Sequence, residues 1–417
     1  MKRETGFSAS RRLRPAQADD AAPRPDLLQR LAAAHAERAQ QQLLRRLRTV
    51  AEVAGPRIVV AGRTLLHFAN NDYLGLAQHP ALREAALRAL ARGGVGAGAA
   101  HLLGGHREEH AALEETLARW TGRERALLFS TGYMANLGVI GALLGAGDVC
   151  VQDRLNHACL IDGARLAGCE LKRYPHADVA AAARQLRQRP GAAALVASDG
   201  VFSMDGDVAP LAELAALCTK EHATLLIDDA HGLGVLGPDG AGSLAEAGLT
   251  PSDAPVLMAT LGKALGTFGA FVAGSAALIE GLVQFARTYV YTTALPPALA
   301  AAARAAVEVA RLESWRRDKL HRLIAHFRHG AAARGIALAA ARTPIQPVPI
   351  GASEAALRAA QALEDAGFYV PAIRPPTVPR GAARLRVTLS AAHEERDVER
   401  LLDALARALA AARDAEA

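Results

Sequence analysis

Leu225-Leu226-Ile227-Asp228-Asp229-Ala230-His231, followed about one βα unit later by Thr260-Leu261-Gly262-Lys263-Ala264-Leu265-Gly266, is the stretch whose reading decides the fold. The first segment is an apolar run ending in two aspartates and a histidine, the pattern of a buried strand with polar groups at its carboxyl end. The second sets a lysine between glycines. In open α/β sheets ligands collect beyond the carboxyl ends of strands, so these polar residues are the ones to examine. An amine that forms a Schiff base needs a pocket that holds it near neutral, and a pyridine nitrogen needs a carboxylate to keep it protonated as an electron sink. Lys263 and Asp228 supply those parts, so the pair reads as a pyridoxal phosphate site. The spacing of Asp228 and His231 lets the carboxylate meet a ring nitrogen while the imidazole meets the neighbouring phenolic oxygen. Buried aspartates on an apolar strand need partners of this kind. Capping of the next helix is the plain alternative for Asp229, whose role stays open at this stage.

Outward from this stretch, short β-rich runs alternate with helical ones: Ala126 to Phe129, Val149 to Gln152, Ala194 to Ser198, Thr224 to Asp228, Val256 to Ala259 and Ala270 to Ala273. The alternation predicts an α/β fold with a mostly parallel, doubly wound sheet. A long alanine-rich helix is expected from about Pro297 to Arg334. Strands near Ile345 to Ile350, Tyr369 to Ala372 and Ala383 to Leu389 and a last helix from about Glu394 follow. The domain reading is a disordered basic tail over residues 1–25, an N-terminal helical segment over 26–65, a large cofactor-binding domain over 66–300 and a small carboxyl-terminal α+β domain over 301–417.

With 417 residues, 51% hydrophobic but only 4% aromatic, the chain has an aliphatic core and alanine-rich helices. Most of the formal charge of +6 sits on Lys2, Arg3, Arg11, Arg12 and Arg14, so the folded body is near neutral and neither nucleic acid nor a membrane surface is an expected partner. Cys150, Cys159, Cys169 and Cys218 form no CxxC pair and sit in apolar segments, which suits free thiols in a reducing compartment. The amino terminus lacks an apolar h-region and no run approaches 18 apolar residues, so the expectation is a cytoplasmic protein.

Other strand ends add candidates. Ser130-Thr131-Gly132-Tyr133 follows a strand and opens a helix, where free amides and the helix dipole favour a phosphate and Gly132 allows close backbone approach. Asp153-Arg154-Leu155-Asn156-His157 places an imidazole where it can lie over a planar cofactor. Thr260 can give its hydroxyl to the phosphate from the same loop that gives Lys263 to the aldehyde. Gly94-Val95-Gly96-Ala97-Gly98-Ala99 approximates a dinucleotide fingerprint but follows a helix rather than a strand, so its context fails. His106 and His110 share the spacing of some zinc peptidases, but no third ligand is evident and no metal is expected.

Together these residues resemble the α-oxoamine synthases, fold-type I pyridoxal phosphate enzymes that condense an amino acid with an acyl thioester and lose carbon dioxide. The similarity runs from about Leu43 to the carboxyl end, through Asn70-Asn71-Asp72-Tyr73-Leu74-Gly75-Leu76, Gly200-Val201-Phe202-Ser203-Met204-Asp205-Gly206-Asp207 and Asp228-Asp229-Ala230-His231-Gly232. The stretch Ala372-Ile373-Arg374-Pro375-Pro376-Thr377-Val378-Pro379 and the segment Ala383 to His393 resemble the branch that joins L-alanine to pimeloyl-CoA or pimeloyl-acyl carrier protein in biotin biosynthesis. The resemblance implies a large domain with a mostly parallel seven-stranded sheet and a smaller carboxyl-terminal domain. It also implies that Lys263 forms the Schiff base, Asp228 pairs with the pyridinium, His231 contacts the phenolic oxygen and His157 stacks on the ring. Gly132, Tyr133, Ser203 and Thr260 would complete cofactor binding, Arg386 would hold the amino-acid carboxylate, and Arg45, Asn71 and Thr377 would lie on the substrate side. Thr293 would reach the partner subunit's phosphate, which implies a homodimer with shared sites. At Gly96 to Gly105 the chain departs from the family's more glycine- and serine-rich pattern.

Overall fold

The computed structural model describes residues 24–41 and 43–414, so most of the expected tail over 1–25 lies outside the described residues. The described residues up to Leu47 and those from Arg48 onward form two separate units. In the first, α1 (Leu27–Gln40) opens on Asp26, whose carboxylate accepts from the Leu28 and Gln29 N–H groups as an N-cap. The helical reading over 26–65 is corrected beyond Gln40, because residues 50–67 form an antiparallel meander of β1 (Val50–Ala54), β2 (Arg57–Val60) and β3 (Arg63–His67). Its turns explain the difference. Gly55-Pro56 joins the first pair, and Ala61-Gly62, with φ of 50° and 74°, joins the second, the positive-φ geometry that matches the twist of a hairpin. Val53, Ile58, Val59 and Val60 add β-branched side chains that favour strand.

Then follow α2 (Pro80–Gly93), α3 (Glu108–Trp120), β4 (Arg125–Phe129), α4 (Gly132–Leu143), β5 (Val149–Asp153), α5 (Ala158–Ala167), β6 (Glu170–Tyr174), α6 (Val179–Arg187), β7 (Ala194–Asp199), α7 (Leu211–Glu221), β8 (Thr224–Asp228), the short α8 (Ser243–Glu246), β9 (Val256–Thr260), β10 (Ala270–Gly274), α9 (Ala276–Phe285) and α10 (Arg287–Val290). The seven strands β4 to β10 make one sheet in the order β4-β10-β9-β8-β7-β5-β6, in which only β10 runs antiparallel to its neighbours. Successive residues of a strand face opposite sides. On one side Cys150, Leu195, Ala197, Leu226 and Met258 pack with α4, α5 and α9. On the other, Val149, Val151, Leu225, Ile227 and Leu257 pack with α6 and α7. The same parity puts Asp199 and Asp228 on the α4 side and Asp153 on the α6 side.

The remainder comprises α11 (Pro297–Leu312), α12 (Trp315–Ala333), β11 (Ile345–Gly351), α13 (Ser353–Asp365), β12 (Phe368–Tyr369), β13 (Ala372–Ile373), β14 (Ala383–Thr388) and α14 (Glu395–Asp414). The expected long helix over 297–334 is two helices, broken at Glu313 and Ser314. A small sheet runs β11-β14-β13, while β12 pairs in parallel with β3. The division at residue 300 does not separate two cores. One buried cluster runs from Leu66 and Phe68 through Ala303 and Phe327 to Leu401 and Leu405, so residues 48–417 are a single compact unit.

The lysine loop depends on Gly266, which adopts a φ of 62° and whose Cβ, if present, would lie 2.3 Å from the Ala77 backbone nitrogen. Its N–H also closes on the Lys263 carbonyl at 2.8 Å. Gly266→Ala should therefore cost at least about 1–2 kcal/mol from the left-handed backbone alone, measurable as a lower urea midpoint; an unchanged midpoint would contradict this account of the loop.

Candidate active site

Five strand ends converge. After β4, Thr131 caps α4 by accepting from the Met134 N–H at 3.2 Å, which leaves the first amides of a twelve-residue helix, those of Gly132 and Tyr133, without intrahelical acceptors. After β5, the loop to His157 is stitched to β7: Asn156 donates to the Ala197 carbonyl at 2.7 Å and its Oδ1 accepts from the Asp199 N–H at 3.2 Å, while the His157 N–H donates to Asp199 Oδ2 at 3.1 Å. His157 itself caps α5, its Nδ1 accepting from the Cys159 N–H at 3.3 Å and lying 2.8 Å from the Cys159 sulfur. That pattern puts the ring proton on Nε2.

At the end of β8, Asp228 Oδ2 accepts from Asn136 Nδ2 at 2.7 Å and Oδ1 from the Ala230 N–H at 3.0 Å. Lys263 Nζ lies 2.8 Å from His231 Nε2, His231 Nδ1 lies 2.7 Å from the Tyr73 hydroxyl, and that hydroxyl donates to Asn71 Oδ1 at 3.3 Å. The directions that satisfy every partner run from the amine to Nε2, from Nδ1–H to the phenol, and from the phenol to Asn71. Gly132, Tyr133, His157, Ser203, Asp228, His231, Thr260 and Lys263 thus wall one cavity, with Cys159, Asp199, Ala230 and Met258.

Burial dominates the electrostatics. It lowers the Lys263 amine against the opposing carboxylates of Asp228 and Asp199, while the Arg386 cation lowers it further. His231 is held well below the usual imidazole range by burial, then by Lys263 and Arg386. Asp199 is pushed up by burial and by the charge of Asp228. An amine made easier to deprotonate, beside an imidazole made harder to protonate, is suited to attack a carbonyl or to move a proton.

Not every expected residue lines the cavity. Asn71 reaches it only through Tyr73, and Arg386, buried on β14, through its Nε donating to the Ser203 carbonyl at 2.7 Å. Thr293 is exposed beside Tyr291, Thr377 lies in an exposed turn closed by its N–H on the Arg374 carbonyl, and Arg45 belongs to the amino-terminal unit. Tyr73, Asn136, Cys159 and Asp199 carry contacts that the sequence reading did not single out. Asp229 caps α8 through the Ser243 N–H at 2.8 Å, and burial pushes it up to about 7. Side chains at Gly232 and Gly242 would each come within 2.1 Å of its carboxylate oxygens. His110 spends both ring nitrogens, accepting from the Arg107 N–H at 2.9 Å and donating to the Leu295 carbonyl at 2.6 Å, while His106 meets His101 at 3.0 Å. Among the described residues no group of three or more His, Cys, Asp or Glu is placed to hold a metal ion.

The family model for class I and II aminotransferases matches residues 63–405. The chain belongs to that family. It is 54% identical over 377 residues to the 8-amino-7-oxononanoate synthase of Cellvibrio japonicus, covering 90% of this chain and 95% of that one. Serine palmitoyltransferase from S. paucimobilis, solved with PLP and myriocin bound, matches the fold with a TM-score of 0.89 at 30% identity, over 94% of this chain and all of that one. The 8-amino-7-oxononanoate synthase of Francisella tularensis matches with a TM-score of 0.72 at 28% identity, over 82% and 97%. The architecture is therefore that of the fold-type I pyridoxal phosphate transferases.

The residues present fit that cofactor. A carboxylate with spare acceptor capacity, a depressed amine and the open amides of a helix N-terminus line one cavity, matching a ring cation, an aldehyde and a phosphate in turn. Competitive acetylation of the ligand-free protein should show Lys263 titrating below the ordinary 10.5 of a lysine. Because Asp228 raises the amine, Asp228→Asn should move the titration lower still; no change, or a move upward, would contradict this electrostatic account.

Proposed function

We propose that the protein uses pyridoxal phosphate to condense L-alanine with a pimeloyl thioester, giving 8-amino-7-oxononanoate, carbon dioxide and the free thiol carrier, a step of biotin biosynthesis. The observation that carries the chemistry is the Lys263 amine on His231 at 2.8 Å, in the cavity that Asp228 also lines. The substrates are supported by the 54% identity to the Cellvibrio japonicus synthase across nearly the whole chain. Bound in this cavity, the cofactor supplies an electron sink that stabilises negative charge at the α-carbon of the amino acid.

The chain's own residues do the rest. Asp228 holds the ring nitrogen's proton, and the amides of Gly132 and Tyr133, with Ser203 and Thr260, hold the phosphate end. Lys263 would hold the aldehyde end of the cofactor and would serve as the base that moves the α-proton, a role that its lowered affinity for protons favours. His231 and Tyr73 orient that amine. Arg386, its guanidinium beside Tyr73 as well as on Ser203, receives the amino-acid carboxylate. His157 covers the ring face. Asn71 and Thr377 belong to the substrate side of this reading. Two copies share their sites, with the exposed Thr293 reaching the phosphate of the other. Among the described residues no helix is long and apolar enough to cross a membrane.

The TM-score of 0.89 to a serine palmitoyltransferase favours a second reading, in which the same machinery joins another amino acid to a different acyl thioester. A panel of alanine, glycine and serine against acyl thioesters separates the two: highest kcat/KM with alanine and the pimeloyl chain is expected, and a preference for glycine or serine overturns the first. Lys263→Ala should abolish turnover and leave thermal unfolding near that of the parent. Sustained multiple turnover by that variant would remove Lys263 from its role.

A further inference from the structure

His176 lies in the turn between β6 and α6, on the sheet face opposite α4. Its Nδ1 is 3.2 Å from both oxygens of Asp153 and its Nε2 is 2.7 Å from Asp207 Oδ2. The ring meets Phe202 edge-on, with centroids 4.5 Å apart. A carboxylate at each nitrogen requires both nitrogens to donate, which only the imidazolium can do. Hydrogen bonds to Asp153 and then Asp207 outweigh burial and raise the imidazole to about 10. The charged groups facing the ring from the packed elements are these two carboxylates.

Each partner anchors a piece of the cavity wall. Asp153 accepts from the Leu155 N–H and the Ala177 N–H, both at 2.8 Å, and so begins the loop that ends at His157. Asp207 closes the turn that carries Ser203, its carbonyl accepting from the Phe202 N–H at 3.0 Å. From the other side the turn is gripped by Arg384 on Asp205 at 2.5 Å, Arg386 on the Ser203 carbonyl at 2.7 Å and Thr343 on the Gly206 carbonyl at 2.7 Å. His176 adds a side-chain link from this turn to the His157 loop, beyond the hydrogen bonds that tie that loop to β7.

We propose that His176 is a positioning residue: an imidazolium between Asp153 and Asp207 that fixes the separation of the His157 loop and the Ser203 turn, and with it the width of the slot for a planar cofactor. The inference rests on the assignment of His157 and Ser203 to cofactor binding. His176→Gln keeps similar size but cannot serve two carboxylates as a cation. Titration of the cofactor-free variant with pyridoxal phosphate should show a dissociation constant about tenfold higher, the size expected for one lost charge-assisted hydrogen bond, and Asp207→Asn should act in the same direction. Histidine nitrogen spectra of the parent should show an imidazolium that persists at pH 8 and is missing from His176→Gln. A His176 that titrates at an ordinary value near 6.5, or a His176→Gln protein with a lower melting temperature but unchanged cofactor affinity, overturns the proposal. None of these readouts involves alanine or a thioester, so a wrong substrate assignment leaves them standing. A parent protein that binds no pyridoxal phosphate overturns the functional reading and this inference together.

Discussion

The register between β7 and β8 sets Asp199 directly beside Asp228 at the carboxyl edge of the sheet, and the site is built around that pair. Strand parity turns both carboxylates toward α4, where Asn136 is within reach of Asp228 and the His157 amide within reach of Asp199. A slip of one residue would send them to the opposite face, among the apolar residues packed on α6 and α7. The same parity sends Asp153 to that opposite face, where it meets His176. One alternation rule therefore distributes carboxylates between the cavity and the scaffold behind it.

Two acids and one amine are buried together, and their mutual effects are more informative than any of them alone. Asp228 has two donors of its own, whereas Asp199 has one oxygen on the His157 amide and the other without a partner among the described residues. Burial and the charge of Asp228 push Asp199 upward. Burial lowers the Lys263 amine while the charges of Asp228 and Asp199 raise it, so the acids and the base of the cavity set one another's proton affinity.

Much of the fold was legible because buried parallel strands write themselves as apolar runs with polar endings, as at Thr224 to Asp228 and Val256 to Thr260. The strand Glu170 to Tyr174 escaped notice because it is a sheet edge whose Glu170, Lys172 and Arg173 break the apolar run. The meander at 50–67 was missed for another reason: Ala61-Gly62 is an unusual turn pair, and alanine gives no warning of positive φ. Of the cavity, Lys263, Asp228 and His231 were readable as polar residues following apolar strands. Tyr73, Asn136 and Cys159 act by contacting those residues across long sequence separations, and no local spacing encodes such contacts. His176 was invisible for the same reason, since its meaning lies in two aspartates from other loops.

Asp229 touches none of the groups assigned to chemistry, yet it is enclosed by three residues that have no side chain. Cβ atoms on Gly232 and Gly242 would stand 2.1 Å from its oxygens, and one on Gly200 2.8 Å. In a saturation-mutagenesis library these four positions should form a block of intolerance that looks catalytic but is steric. A smaller residue at 229 would not by itself relieve them, because Gly242 has a φ of 105° that disfavours any side chain and a Cβ on Gly200 would also stand 2.5 Å from the Ser243 hydroxyl. Sequence drift at this corner is therefore held by backbone conformation as much as by space.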